Sequence, residues 1–300
     1  MASPASLATM SMTLSELSTK LGQTGYIADS ELVMALHLMQ VLGRPLLLEG
    51  EAGVGKTEVA KALAEAHGTQ LIRLQCYEGL DRSDSLYEWN YQRQLLTIQA
   101  RSAAGEKADE ADIFSEKFLL ERPLLKSIRQ KVAPVLLVDE VDRADEEFEA
   151  FLLELLSDYQ VSIPELGTIT ATTIPRVILT SNGTREISDA LRRRCLYHYV
   201  DFPAVDREAA ILQARLPNIG AGFALQIARA LETIRREDLR KIPGVAETLD
   251  WAMALIGLEI KDLRTDPERV YDTMMTLIKT QEDKSRFTPE VAQRLLGKAA

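Results

Sequence analysis

Residues 46–57 read LLLEGEAGVGKT. Leu46–Leu48 is a short apolar run closed by Gly50, which predicts a buried strand. Gly50 to Thr57 then matches G-x-x-x-x-G-K-[ST], and KTEVAKALAEAHG continues with helical character. Strand, glycine loop and helix in this order form an anion cradle. The glycines let the backbone wrap closely, N–H groups at the helix start point at phosphate oxygens, and the helix dipole adds favourable potential. Lys56 is expected to meet the β- and γ-phosphates, and Thr57 to place its hydroxyl on Mg2+. The nucleotide-binding positions therefore run through Gly50, Glu51, Ala52, Gly53, Val54, Gly55, Lys56, Thr57 and Glu58.

The flanks repeat the alternation. Upstream, DSELVMALHLMQVLGRP offers Asp29 or Ser30 as a helix cap, apolar Leu32, Ala35, Leu36 and Met39 at helical spacing, and Gly43 as a stop. Downstream come QLIRLQC as a strand, a polar and aromatic stretch from Tyr77 that reads as an insertion or mobile element with a charged linker near 102–112, and the strand of APVLLVDEVDRAD. A helix over EEFEAFLLELLSD, a hairpin around PELG and a strand in RVILTSN complete the pattern. Alternating strands and helices predict a parallel sheet covered by helices. From about Asp206 the pattern turns wholly helical, so three segments are expected: a loose 1–24, an αβ nucleotide-binding domain over 25–203 and a helical lid over 204–300.

The net charge of −10 over 300 residues disfavours a broad phosphate-binding face, so no nucleic-acid partner is expected. Cys76 and Cys195 form no CxxC pair, which argues against a disulfide framework or zinc site. The N-terminal stretch lacks a basic start and apolar run, and no apolar segment approaches the roughly 20 residues that span a bilayer. A cytoplasmic protein without membrane insertion is expected.

Two carboxylates end the strand VLLVDE. At the edge beside the phosphate loop, Asp139 can hold Mg2+ through water while Glu140 polarises an attacking water. Asn182, ending TSN, can orient that water, or serve as a turn or cap residue. In SDALRRRC, a helix capped by Ser188 or Asp189 sends Arg192, Arg193 and Arg194 in different directions. They either form a solvated cationic face at a helix C-terminus or deliver a guanidinium to a γ-phosphate, in trans on a neighbour's ATP. Arg143 either reaches an interface or pairs with Asp139, Asp142 or Asp145. Tyr77, Tyr87, Trp89 and Tyr91 either line a pore or pack, and His37, His67 and His198 read as structural.

GEAGVGKT, LLVDEVDRA, TSN and ALRRRC together resemble the AAA+ ATPases and, within them, the MoxR family, over roughly residues 25–203. DEVDRA resembles the Walker B extension, FLLELLSDYQVSIPELG the helix and hairpin before sensor 1, and DALRRRC the family's Ala-Leu-x-x-Arg-Phe, which aligns Arg194 as the arginine finger with Arg193 in reserve. The resemblance is closest to members associated with carbon monoxide dehydrogenase maturation. It implies an AAA+ P-loop α/β fold with a small helical lid, ATP and Mg2+ as cofactors, Ile27 among the nucleotide-binding positions, and Thr57 and Asp139 as metal ligands. It further implies a homo-oligomer, a hexameric ring in form, hydrolysing ATP at subunit interfaces, a partner with a von Willebrand factor A domain, and remodelling of a protein complex such as a metalloenzyme. Ala246 stands where many members carry a sensor arginine, leaving Lys241 or another lid residue to replace it. A nucleic-acid-stimulated motor and a small-molecule P-loop kinase are the competing classes. The acidic balance opposes the first, and the paired acids and exported arginine oppose the second.

Overall fold

The structure is a computed structural model that describes residues 12–105, 107 and 109–299. In chain order, α1 is Leu14–Gln23, α2 Ser30–Leu42, β1 Leu46–Glu49, α3 Lys56–Ala66, β2 Leu71–Gln75, α4 Arg82–Ser85, β3 Tyr87–Trp89, α5 Tyr91–Ala103 and α6 Glu110–Ile113. Then come β4 Leu119–Glu121, α7 Pro123–Ile128, β5 Val135–Asp139, α8 Glu146–Asp158, β6 Gln160–Ile163, β7 Gly167–Thr170, β8 Arg176–Ser181, α9 Asp189–Arg194 and β9 Leu196–Tyr199. The remaining helices are α10 Val205–Arg215, α11 Ala221–Arg235, α12 Val245–Gly257, α13 Pro267–Asp272, α14 Gln281–Arg286 and α15 Pro289–Ala299.

The chain divides into two compact units, one comprising the segments ending at Ser18, Ser30–Glu49 and Ala60–His198, the other Thr19–Asp29, Gly50–Val59 and the chain from Tyr199 on. The first is built on a five-stranded sheet in the order β2-β5-β8-β1-β9, with parallel pairings β2 to β5, β5 to β8 and β8 to β1. All five residues of β5 are buried, as expected of a central strand covered on both faces. Parallel strands share a direction, so β5, β8 and β1 end at one edge, where Glu49 lies opposite Ser181. The helix α8 is capped by Asp145, whose carboxylate accepts from the Phe148 N–H at 2.8 Å, and the β6–β7 hairpin pairs Val161 with Ile169.

The second unit packs α10 to α15 around Phe223, Ile227, Leu231, Ile234, Trp251 and Leu255. The Trp251 indole N–H donates to the Thr273 hydroxyl at 2.7 Å. A buried Arg235–Glu208 pair, 2.6 Å apart, is held further by the Thr248 hydroxyl.

Two expectations are corrected, and one strand is added. Of the loose 1–24 segment, residues 1–11 lie outside the described residues, but 14–23 are helical: Thr13 and Glu16 cap each other reciprocally, and Leu17 and Leu21, one turn apart, are buried. The stretch after Tyr77 is folded, with β3 paired antiparallel to β4 and Trp89 buried beneath Phe114 and Tyr87 in edge-on contacts. The added strand, β9, has no signature in the sequence, because its four residues follow the arginine helix directly and carry no turn signal.

Candidate nucleotide site

In the second unit, the phosphate loop leaves β1 at Gly50. The Lys56 ammonium is buried and donates to the carbonyls of Gly50 and Glu51, each at 2.7 Å, so it is held over the loop rather than extended into solvent. Gly55, with φ +98° and open space where a Cβ would stand, adopts a conformation that L side chains rarely reach. Val54 is buried and Thr57 half-buried in the first turn of α3. Glu58 pairs with Arg215 at 3.3 Å. Ile27 is half-buried, and beside it burial pushes the Tyr26 hydroxyl up to about 12, with Arg207 opposing and Asp29 and Glu58 reinforcing the shift.

The N-terminus of α12 meets this loop by backbone. The Val245 N–H donates to the Gly53 carbonyl at 2.9 Å, and a Cβ on Gly244 would stand 2.6 Å from Gly53 Cα. Lys241 is exposed, and its N–H donates to Asp283. In this segment the contact to the loop is made by main chain.

In the first unit, Asp139 and Glu140 sit at the end of β5 in a continuous polar network. The Thr180 hydroxyl donates to Asp139 Oδ1 at 2.5 Å and accepts from the Glu140 N–H at 2.8 Å, so one side chain from β8 fixes both acids. Arg73 pairs with Asp139 Oδ2 at 2.5 Å. Glu140 Oε2 accepts from Gln75 Nε2 and from Arg143 Nη1, each at 3.0 Å. The partner of Arg143 is thus Glu140 rather than Asp139, Asp142 or Asp145. Glu140 itself has φ 55° and ψ 50°, a left-handed conformation that costs a non-glycine residue about 1–3 kcal/mol and is commonest where geometry serves function. Asp142 accepts from the N–H groups of Asn182 and Thr184 and from the Thr184 hydroxyl. Burial alone would raise its carboxyl, but these hydrogen bonds outweigh it and hold the group below its ordinary value. Burial, aided by Asp139, Asp142 and Glu140, pushes the Cys76 thiol up to about 12.

The α9 helix is capped by the Ser188 hydroxyl, which accepts from the Leu191 N–H, and is anchored by buried Leu191. Arg192 Nη2 lies 3.1 Å from Glu49 Oε2, whereas Arg193 and Arg194 are exposed and have no ion-pair partner among the described residues.

Residues 45–195, about half of the chain, match the family model for the AAA domain of the dynein-related subfamily. The chain belongs to that family. The AAA domain is a P-loop nucleotide-binding fold, and AAA+ proteins generally bind ATP with Mg2+ and typically form rings. An uncharacterized protein of Staphylococcus aureus is 29% identical over 169 residues, covering 54% of this chain and 57% of that protein. The matched stretch is thus little more than half of that relative. Among solved structures, a RuvB variant of Thermotoga maritima is 19% identical with a TM-score of 0.45, covering 93% of this chain and 73% of that one. A candidate ATPase from Cytophaga hutchinsonii is 15% identical with a TM-score of 0.47, covering 95% and 93%.

Within the AAA domain, the first unit brings Asp139, Glu140 and Asn182 to one sheet edge, and the Asn182 N–H bonds to Asp142. Arg73, Gln75 and Thr180 join them without a role expected from the sequence, as does Asp142, which the sequence offers only as a partner for Arg143. The available signal was the alternation in RLQC, where Arg73 and Gln75 share a face of β2 at the end that pairs with Asp139. His37 Nδ1 lies 3.0 Å from the Met12 carbonyl, as a structural histidine would. No described helix is long and apolar enough to cross a membrane.

Proposed function

We propose that this chain is an ATPase of MoxR type, acting as a cytoplasmic homo-oligomeric ring that couples ATP hydrolysis to remodelling of a partner protein complex. The observation that carries this reading is the sheet edge at which β5 delivers Asp139 and Glu140 and β8 delivers Asn182, in a chain whose β1 runs in sequence into the phosphate loop. The donor set fits Mg2+: a hard cation prefers oxygen ligands, and a hydroxyl from Thr57 with a carboxylate from Asp139 supplies them. Asp139 Oδ2 already pairs with a cation, the Arg73 guanidinium. When bound, Mg2+ neutralises charge on the β- and γ-phosphates.

The chain's own groups divide the remaining work. Loop N–H groups and Lys56 bind phosphate oxygens. Glu140, aimed by its left-handed backbone and by Gln75, accepts a proton from the attacking water, and Asn182 orients that water. Arg194, or Arg193 beside it, stabilises charge on a neighbouring copy's γ-phosphate, which their exposure and the lack of an ion-pair partner among the described residues support. A ring, a partner bearing a von Willebrand factor A domain and a metalloenzyme target follow from the resemblance to MoxR proteins.

The test is Glu140→Gln. This variant should bind ATP normally and hydrolyse it at least 100-fold more slowly, an order-of-magnitude loss typical of removing a general base, and in ATP it should retain the partner in a pull-down. Turnover at the wild-type rate would remove Glu140 from the mechanism.

A further inference from the structure

We propose that Arg44 and the Arg192–Glu49 pair are positioning residues: they set the direction in which Arg193 and Arg194 leave the subunit, and Glu49 ties that direction to the end of β1. The inference rests on the reading above, in which one of those arginines serves a neighbouring copy.

The α9 helix has six residues, less than two turns, and a helix that short is not stable by itself. Its last carbonyls lack helical partners and must be satisfied from outside. Arg44, in the turn between α2 and β1, does this. Its Nε donates to the Arg194 carbonyl at 3.1 Å, and its Nη2 donates to the carbonyls of Arg193 and, at 3.4 Å, Cys195. The next residue continues the clamp, because the Leu196 N–H donates to the Pro45 carbonyl at 2.8 Å. A planar guanidinium with donors in a fixed fork defines the orientation of the peptides it spans, which a lysine ammonium cannot do. The peptides spanned here are those of the two finger candidates. Arg44 is itself exposed, so its hydrogen bonds define direction more than they stabilise a core.

Arg192 secures the other side. Glu49 Oε2 takes the Arg192 guanidinium, and Glu49 Oε1 accepts from the Tyr197 hydroxyl at 3.3 Å. Glu49 is the last residue of β1 and is bonded covalently to Gly50, the first residue of the phosphate loop. One carboxylate therefore joins the end of β1 to the helix that presents the fingers. Pairing with Glu49 also separates Arg192 from its two neighbours in function: it is an internal strut, and they are the exported cations.

The experiment measures ATP turnover and fluorescent-nucleotide affinity for Arg44→Ala, Arg44→Lys and Glu49→Gln in the full chain, alone and mixed with Glu140→Gln copies. Arg44→Ala should lower kcat on the order of tenfold or more, a fraction of what a whole finger is worth, with nucleotide affinity within about twofold of wild type. Arg44→Lys and Glu49→Gln should show the same signature at smaller size, and Arg44→Lys serves if Arg44→Ala does not fold. Glu140→Gln copies should hydrolyse little themselves but carry intact fingers. Mixed with Arg44→Ala copies, they should give turnover above the sum of the two parents. Unchanged kcat in all three variants, or a loss that Glu140→Gln copies do not restore, overturns the positioning role. A double variant, Arg193→Ala with Arg194→Ala, is the control: if it is complemented and Arg44→Ala is not, only the positioning inference falls. If the double variant is not complemented either, the trans reading falls and takes this inference with it.

Discussion

Replacing Gly244 by alanine tests whether the start of α12 supports the phosphate loop. Gly244 has φ −87° and ψ −174°, extended backbone that alanine adopts freely, so the substitution is not strained by conformation. Space is what it lacks. A Cβ there would lie 2.6 Å from both Cα and O of Gly53 and 2.8 Å from its carbonyl carbon, and all three atoms are backbone. Ordinary contact begins at 3.4 Å, so loop and helix must part by about 0.8 Å. Overpacking of this kind costs about 1–3 kcal/mol, and the 2.9 Å bond from Val245 N–H to Gly53 O, worth roughly 0.5–1.5 kcal/mol, is stretched as well. If the loop yields rather than the helix, nucleotide affinity should fall by about 5- to 150-fold, the equivalent of 1–3 kcal/mol. The assay is titration of a fluorescent ATP analogue, paired with a thermal melt and with Trp251 emission in a Trp89→Phe background, since Trp251 lies on α12 itself. Affinity within twofold of wild type and an unchanged melting temperature would show that the contact supports nothing.

Further outcomes follow from the acidic edge. Thr180→Val keeps the shape but removes the donor to Asp139 and the acceptor for the Glu140 N–H, so it should destabilise the chain by about 2–4 kcal/mol in urea titration; a loss below 0.5 kcal/mol, roughly the floor for any hydrogen bond, would contradict the network. With its thiol pushed up to about 12, Cys76 should resist iodoacetamide at pH 8 in the native state and react only after denaturation, as mass spectrometry would register. The Asp142 carboxyl is held below its ordinary 3.8 in the folded chain, so the unfolded chain binds the proton first as pH falls. Its stabilisation is present above about pH 4 and is lost as pH drops through the folded value. Asp142→Asn should therefore flatten the decline in stability between pH 5 and pH 3, and an unchanged slope would assign that decline to other groups.

Much of this was legible in the sequence because the signals were local. GEAGVGKT carries its own strand and helix, VLLVDE is apolar up to its two acids, and PELG marks the turn of the β6–β7 hairpin, so each could be read within a dozen residues. The capping pair Thr13 and Glu16 was equally local, yet the Ser and Thr around it masked a helix held by only two buried leucines. What escaped was pairing at long separation. Arg73 is an ordinary strand arginine until the β2–β5 register sets it beside Asp139. Arg44 looks like a turn residue until it meets carbonyls 149 and 150 positions away. The Gly53–Gly244 approach is likewise invisible to spacing, because the contact uses main chain.

The left-handed backbone at Glu140 has a consequence for how this position tolerates change. Any ordinary side chain there meets the same crowding, so Glu140→Gln keeps the strain while altering the chemistry, and a fall in turnover can be assigned to the carboxylate alone. Only glycine relieves the crowding. A glycine at 140 would lack the acid and yet relax the chain locally, so position 140 is one where durability and turnover favour different residues.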